Sequence, residues 1–255
     1  GENVAWKRII FFDLKSTLTR GRLILRKRKI LTVIVFILFI LSFRYNEITL
    51  VDNLTKFNTE DLDINGYRKD HDDFSGLIPS YDEEKVEHLN LITALSNDKN
   101  VMPKGRVLVP GKIDVPIFEG INNAHLMKGA AEQVPRSKVV AGGKGNYILA
   151  GHSWIGRPGK LFESLQEVKV GDLVYITDRH NLYAYRINIA ETLHKSNPYL
   201  LNVEANDKKL ITLYSCTGGF RNPPYRFTAQ GELEKSYSLD DLSVEEFNKI
   251  VEKGR

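Results

Sequence analysis

One cysteine, Cys216, stands in 255 residues, so no disulfide can form within the chain. There is no internal repeat and no low-complexity tract, which sets aside solenoids and linker-like chains. Basic residues are scarce where a nucleic-acid-binding domain would need them. Residues 1–29 hold nine Lys/Arg against two acidic residues, a net of +7, leaving 27 basic and 30 acidic residues for the remainder. The overall +4 therefore belongs to the N-terminal region, and a nucleic-acid partner is excluded.

Long apolar runs are absent too, except for Ile30–Phe43, which carries no charge and only Thr32 and Ser42 as polar residues. As a helix its fourteen residues reach roughly 21 Å, short of a ~30 Å hydrocarbon core, and Lys29, Arg44 and Tyr45 at its ends can snorkel across part of the difference. A cleaved signal peptide needs small residues after the run, where Phe43-Arg44-Tyr45-Asn46 stands. A buried core helix would not be apolar on every face behind Arg26-Lys27-Arg28-Lys29. The run reads as a signal anchor in the cytoplasmic membrane. By the positive-inside rule the N-terminus is cytoplasmic and the rest of the chain extracellular.

The expected organisation is a basic cytoplasmic tail over 1–29, a transmembrane anchor over 30–45 and a polar stalk with a short helix over 46–100. A globular domain over 101–235 and a helical extension over 236–255 follow. Val86, Leu89, Ile92 and Leu95 recur every third residue and predict an amphipathic helix over about 82–96. Thereafter RVLVP, DVPIF, NYILAG, DLVYIT, LYAYRINIA, LITLYS and YRFTAQGEL are short β-branched and aromatic runs, punctuated by Gly, Pro, Asn and Asp. They predict an all-β domain, an antiparallel barrel or sandwich. Ser243 followed by Glu246 makes a capping box, and Val244, Phe247, Ile250 and Val251 form the stripe of a terminal helix.

Outside the cytoplasm a lone thiol is either inert and buried or kept for its reactivity. Reactivity needs an imidazole or a cation beside it. Of the six histidines (His71, His88, His125, His152, His180 and His194), His152 alone follows an apolar strand, Tyr147-Ile148-Leu149-Ala150, at the point where the chain leaves a sheet. Cys216 holds the equivalent place after Ile211-Thr212-Leu213-Tyr214-Ser215. Arg226 lies ten residues later, beyond a Gly-Gly and Pro-Pro loop, where a hairpin returns it beside Cys216. Its guanidinium suits the negative charge that thiolate attack places on a carbonyl oxygen. Arg221, in the loop itself, is read as solvated.

These residues resemble the sortases, membrane-anchored cysteine transpeptidases of Gram-positive bacteria. The resemblance rests on Leu149-Ala150-Gly151-His152, on Thr212-Leu213-Tyr214-Ser215-Cys216 and on Arg226-Phe227. Gly111 to Gly120, Lys160-Leu161-Phe162 and Val170 to Tyr175 are also similar, so that it spans about residues 101–235. It implies a closed eight-stranded β-barrel with short helices and a catalytic triad of His152, Cys216 and Arg226. It implies cleavage of the Thr-Gly bond in an LPXTG-like sorting signal on surface proteins, and transfer through a thioacyl enzyme to an amine of a peptidoglycan precursor, lipid II. One N-terminal anchor, with neither a C-terminal span nor an Asp-Pro lid, is most similar to the class A housekeeping enzymes. Ser215 stands where the family usually has Thr and keeps a hydroxyl for the substrate. Leu200, Leu201 and Val203, in the segment where the family reads its signal, either form an apolar substrate pocket or cover the barrel. No cofactor is implied. Calcium activates several class A enzymes, but Glu119 and Glu191 are too scattered to assign a metal site. Two other readings stand beside this one, an accessory or pilin-polymerising enzyme with a lysine acceptor and a non-catalytic barrel that binds sorting signals.

Overall fold

The computed structural model describes residues 2–55, 89, 91–96, 101–133, 139–154, 156–197, 207–217 and 223–252. The chain divides into two units, Gly1–Leu50 and Val51–Arg255. The first is helical from its second residue, within helix α1 (Glu2–Thr55). No proline occurs before Pro79, so nothing forces a break at the end of the apolar run, and an Arg44–Glu47 ion pair bridges one turn there. Within α1, Arg26–Leu50 is long and apolar enough to cross a membrane, by length and composition. Helix α1 thus continues through residues 46–55, which the polar composition had suggested as stalk.

The second unit is built on a closed eight-stranded barrel. Its strands are β1 (Gly105–Val109), β2 (Ile113–Glu119), β3 (Ala130–Glu132), β4 (Gly145–Gly151), β5 (Leu173–Thr177), β6 (Asn181–His194), β7 (Lys209–Thr217) and β8 (Tyr225–Ser238). Around the barrel they run β1-β2-β3-β4-β7-β8-β6-β5, and β5 pairs with β1 to close it. Seven of the eight match the apolar runs. The eighth, β3, is Ala-Ala-Glu and has no β-branched or aromatic residue to announce it. The barrel is also mixed and not purely antiparallel, because β2–β3 and β4–β7 are parallel pairs.

Helix α3 (Asn123–Lys128) makes the crossover from β2 to β3, with the Asn122 side chain accepting from the His125 amide at its N-terminus. Helix α2 (Leu91–Ser96) places Ala94 against Met127 of α3, with Leu89 and Trp154 alongside. It realises the last part of the expected helix but not its expected face, since Thr93 and Ala94 are buried while Ile92 and Leu95 are exposed; residues 82–88 lie outside those described.

Alternation along the strands sorts side chains into two faces. Tyr147 and Leu149 of β4, Ile211 and Leu213 of β7 and Ala229 of β8 join the main core with Val107, Ile117, Phe162, Ile176 and Tyr185. Ile148, Ala150 and Tyr214, one residue out of phase, pack on the other face with Ile121, Leu126 and Ala131. Helix α4 (Val244–Glu252) is capped as its sequence predicts. The Glu246 amide donates to Ser243 Oγ, and the Ser243 amide donates back to the Glu246 carboxylate. Phe247, Ile250 and Val251 cover Tyr175, Leu182 and Leu239, while Val244 stays exposed. The Tyr175 hydroxyl donates to the Ile250 carbonyl at 2.9 Å.

Candidate active site

Three adjacent strands, β4, β7 and β8, carry the site. In the parallel β4–β7 pair the last registered partners are Gly151 and Ser215. One residue further, His152 follows the end of β4 while Cys216 continues β7, so the two stand at the same end of neighbouring strands. In the antiparallel β7–β8 pair Cys216 faces Arg226 directly. The three side chains that stood at separate strand ends in the sequence thus form one row on the barrel rim, with Cys216 in the middle. All three have the parity of Ile148, Ala150 and Tyr214, so the row stands on the outer face and not in the core.

The row is enclosed. His152 and Arg226 are 8% and 7% exposed, and Cys216 is half-buried and in no disulfide. Arg226 Nη1 donates to the Pro223 carbonyl at 2.7 Å and the Tyr225 carbonyl at 3.1 Å, which fixes the guanidinium against its own strand. Salt bridges among the described residues involve no carboxylate at Arg226.

Beneath the row a buried polar ladder joins the same strands. Thr212 Oγ1 donates to Asn146 Oδ1 at 2.7 Å, and Gln230 Nε2 donates to Thr212 Oγ1 at 3.0 Å. A satisfied buried network of this kind opposes slippage of β4, β7 and β8 past one another, which would separate the three side chains. Its only trace in the sequence is polar residues interrupting apolar strands.

Below the rim, Phe162 supports His152. Its ring lies against Gly151, and its amide donates to the His152 carbonyl at 2.9 Å. A Cβ on Gly151 would sit 2.3 Å from Phe162 Cγ. Gly151→Ala is therefore expected to cost about 1–3 kcal/mol by overpacking. Urea denaturation measures the cost, and slowed alkylation of Cys216 would show the row disturbed with it.

Ser215, expected among the substrate contacts, has the parity of Ile211 and Leu213. It is 1% exposed, and among the described residues its hydroxyl has no hydrogen-bond partner. Leu200, Leu201, Val203 and Arg221 lie outside the described residues. His125 is committed elsewhere, with Nδ1 2.8 Å from the Gly120 carbonyl and its ring stacked on Phe118. Burial lowers its pKa, so the ring favours the neutral form. His180 and His194 are exposed, and His71 and His88 are outside the described residues. No three His, Cys, Asp or Glu side chains converge as a metal site among the described residues.

The family model of the sortase domain matches residues 107–234. Sortase A of Listeria monocytogenes serovar 1/2a is 33% identical over 165 residues, covering 63% of this chain and 71% of the relative. Sortase A of Streptococcus agalactiae serotype III is 31% identical over 176 residues, covering 65% and 68%. The crystal structure of Listeria monocytogenes sortase A superposes with a TM-score of 0.50 at 36% identity, over 58% of this chain and 95% of that one. The matched residues run from the first strand of the barrel to the last, and the chain belongs to the sortase family of cysteine transpeptidases.

Proposed function

We propose that this chain is a class A-like sortase, anchored through Arg26–Leu50 with its N-terminus in the cytoplasm and its barrel outside. The observation that carries the reading is the single row of His152, Cys216 and Arg226 on the outer rim. The Cys216 thiolate attacks the Thr carbonyl of an LPXTG-like signal, and the N–H groups of Arg226 stabilise the oxyanion that forms. As the C–N bond breaks, His152 protonates the departing Gly amine and leaves a thioacyl enzyme. An amine of the cell-wall precursor then attacks the thioester, His152 takes its proton, and the Cys216 thiolate leaves. Leu200, Leu201 and Val203 are proposed to receive the apolar end of the signal.

The test uses the full chain in detergent micelles, incubated with an LPXTG peptide with and without triglycine and followed by intact-protein mass spectrometry. A mass gain equal to the LPXT acyl group, discharged by triglycine, is the expected result. Absence of any adduct across several signal variants, while Cys216 still reacts with iodoacetamide, would overturn the reading in favour of a non-catalytic signal-binding barrel. An adduct discharged by a lysine side chain and not by triglycine would move the acceptor to another protein.

A further inference from the structure

The loop that follows His152 closes on itself, and one carboxylate inside it has no part in the chemistry above. Ser153 bridges to Leu161 across the loop, and the Phe162 amide holds the His152 carbonyl. Between these two contacts Glu163 reaches back. One carboxylate oxygen accepts from Ser153 Oγ at 2.5 Å, and the other accepts from the Gly156 amide at 2.9 Å. Glu163 opens the 3₁₀ turn Glu163–Glu167, whose Ser164 and Leu165 are buried, so the carboxylate is carried on an anchored segment. One side chain thus ties the residue next to His152 and the middle of the loop to the barrel wall.

We propose that Glu163 is a positioning residue for His152, acting through these two hydrogen bonds and not through its charge. An imidazole that must deliver a proton to one amine and collect it from another depends on its orientation, and His152 lies past the last registered residue of β4, where the ladder no longer fixes the backbone. The two-pronged acceptor replaces the ladder there. A glutamine at 163 preserves both contacts in kind, its amide oxygen accepting from Gly156 and its NH₂ donating to Ser153 Oγ. Alanine removes both.

The inference rests on the acid–base reading of His152, so its test has a readout that needs no sorting signal. For the full chain in detergent micelles, LPXTG transpeptidation is measured beside the pH dependence of Cys216 alkylation by iodoacetamide. Glu163→Ala is expected to lower kcat/KM about ten- to a hundredfold, chiefly in kcat, and to shift the alkylation profile. Glu163→Gln is expected to stay within about threefold of the parent with the profile unmoved. A Glu163→Ala enzyme within about threefold of the parent, with an unchanged profile, would overturn the proposal, as would a Glu163→Gln enzyme as impaired as the alanine variant. Should Glu163→Ala not fold, Ser153→Ala removes one of the two contacts, and an unmoved alkylation profile there overturns the proposal equally. If the parent acylates no sorting peptide, the transpeptidase reading fails while the alkylation profiles still decide the role of Glu163.

Discussion

Cys216→Ala is expected to abolish the thioacyl adduct and to lower kcat/KM for peptide cleavage by about 10³-fold or more, with the barrel still folded. Cys216 is half-buried and its side chain is small, so its replacement by alanine costs little packing. His152→Ala should fall nearly as far, because a thiol without its proton acceptor and a leaving amine without its donor stall the same reaction. The double variant should be little worse than either alone, since residues that act as a unit are not additive. Arg226→Ala is expected to cost about 10²–10³-fold, the size of one lost oxyanion donor. Arg226→Lys should recover little of it. The guanidinium holds the Pro223 and Tyr225 carbonyls through Nη1 and, in the proposed mechanism, offers its other N–H groups to the substrate, a fork that an ammonium cannot reproduce. Steady-state kinetics with intact-mass detection separates these outcomes. Because Arg226 is nearly buried, unfolding is followed in parallel, where the two carbonyls left without a donor cost about 1–2 kcal/mol. Cleavage retained in Cys216→Ala would remove the thiol from the mechanism.

Lys104→Met is expected to destabilise the fold strongly although it lies away from the rim. Glu132 is 1% exposed and lies on β3. Lys104 Nζ donates to both its oxygens, at 2.8 and 3.1 Å, and Tyr147 hydrogen-bonds to it as well. Removing the ammonium leaves a buried carboxylate without its counter-ion. With Lys104 about one-third exposed, the expected cost is about 2–4 kcal/mol, or a fall in Tm of roughly 4–16 °C. Adding Glu132→Gln should restore most of it, because the uncompensated charge is then gone. Burial pushes the Glu132 carboxyl above its ordinary value of 4.5, and Lys104 partly offsets that rise. A group whose folded pKa is raised stabilises the fold fully below its unfolded pKa and loses that contribution as pH rises through the folded one. Without Lys104 the folded value climbs further. The deficit of Lys104→Met should therefore be greatest at neutral pH and shrink as the pH is lowered toward 4.5. Thermal melts of the parent, single and double variants across that range check this, and a deficit constant with pH would mean that Lys104 contributes packing and not charge.

Much of this molecule was legible before its structure. A two-residue alternation is a property of each strand alone, so seven of eight strands could be read from their own residues. The Ser243–Glu246 capping box spans four residues and formed as written. The lone thiol, and the histidine that ends an apolar strand, stood out because their neighbours were unlike those of the other candidates. What could not be read was lateral. Nothing in Ala130–Glu132 marks a strand, since it exists only because β2 and β4 flank it. Ser215, read as a substrate contact because it keeps the hydroxyl of the family's usual Thr, stands on the face opposite Cys216, since adjacent strand residues alternate, and is 1% exposed there.

The sequence by itself determined the long apolar helix, seven of the eight strands and the three candidate side chains at strand ends, because these follow from residue type and short-range period. Only the tertiary structure decided that β4 and β7 run parallel and in register, that Cys216 faces Arg226, and that Glu132 and Glu163 find their partners at Lys104 and in the His152 loop. Those pairings depend on which distant strands become neighbours when the barrel closes, and closure is selected by burial of all eight strands together and not by any one of them.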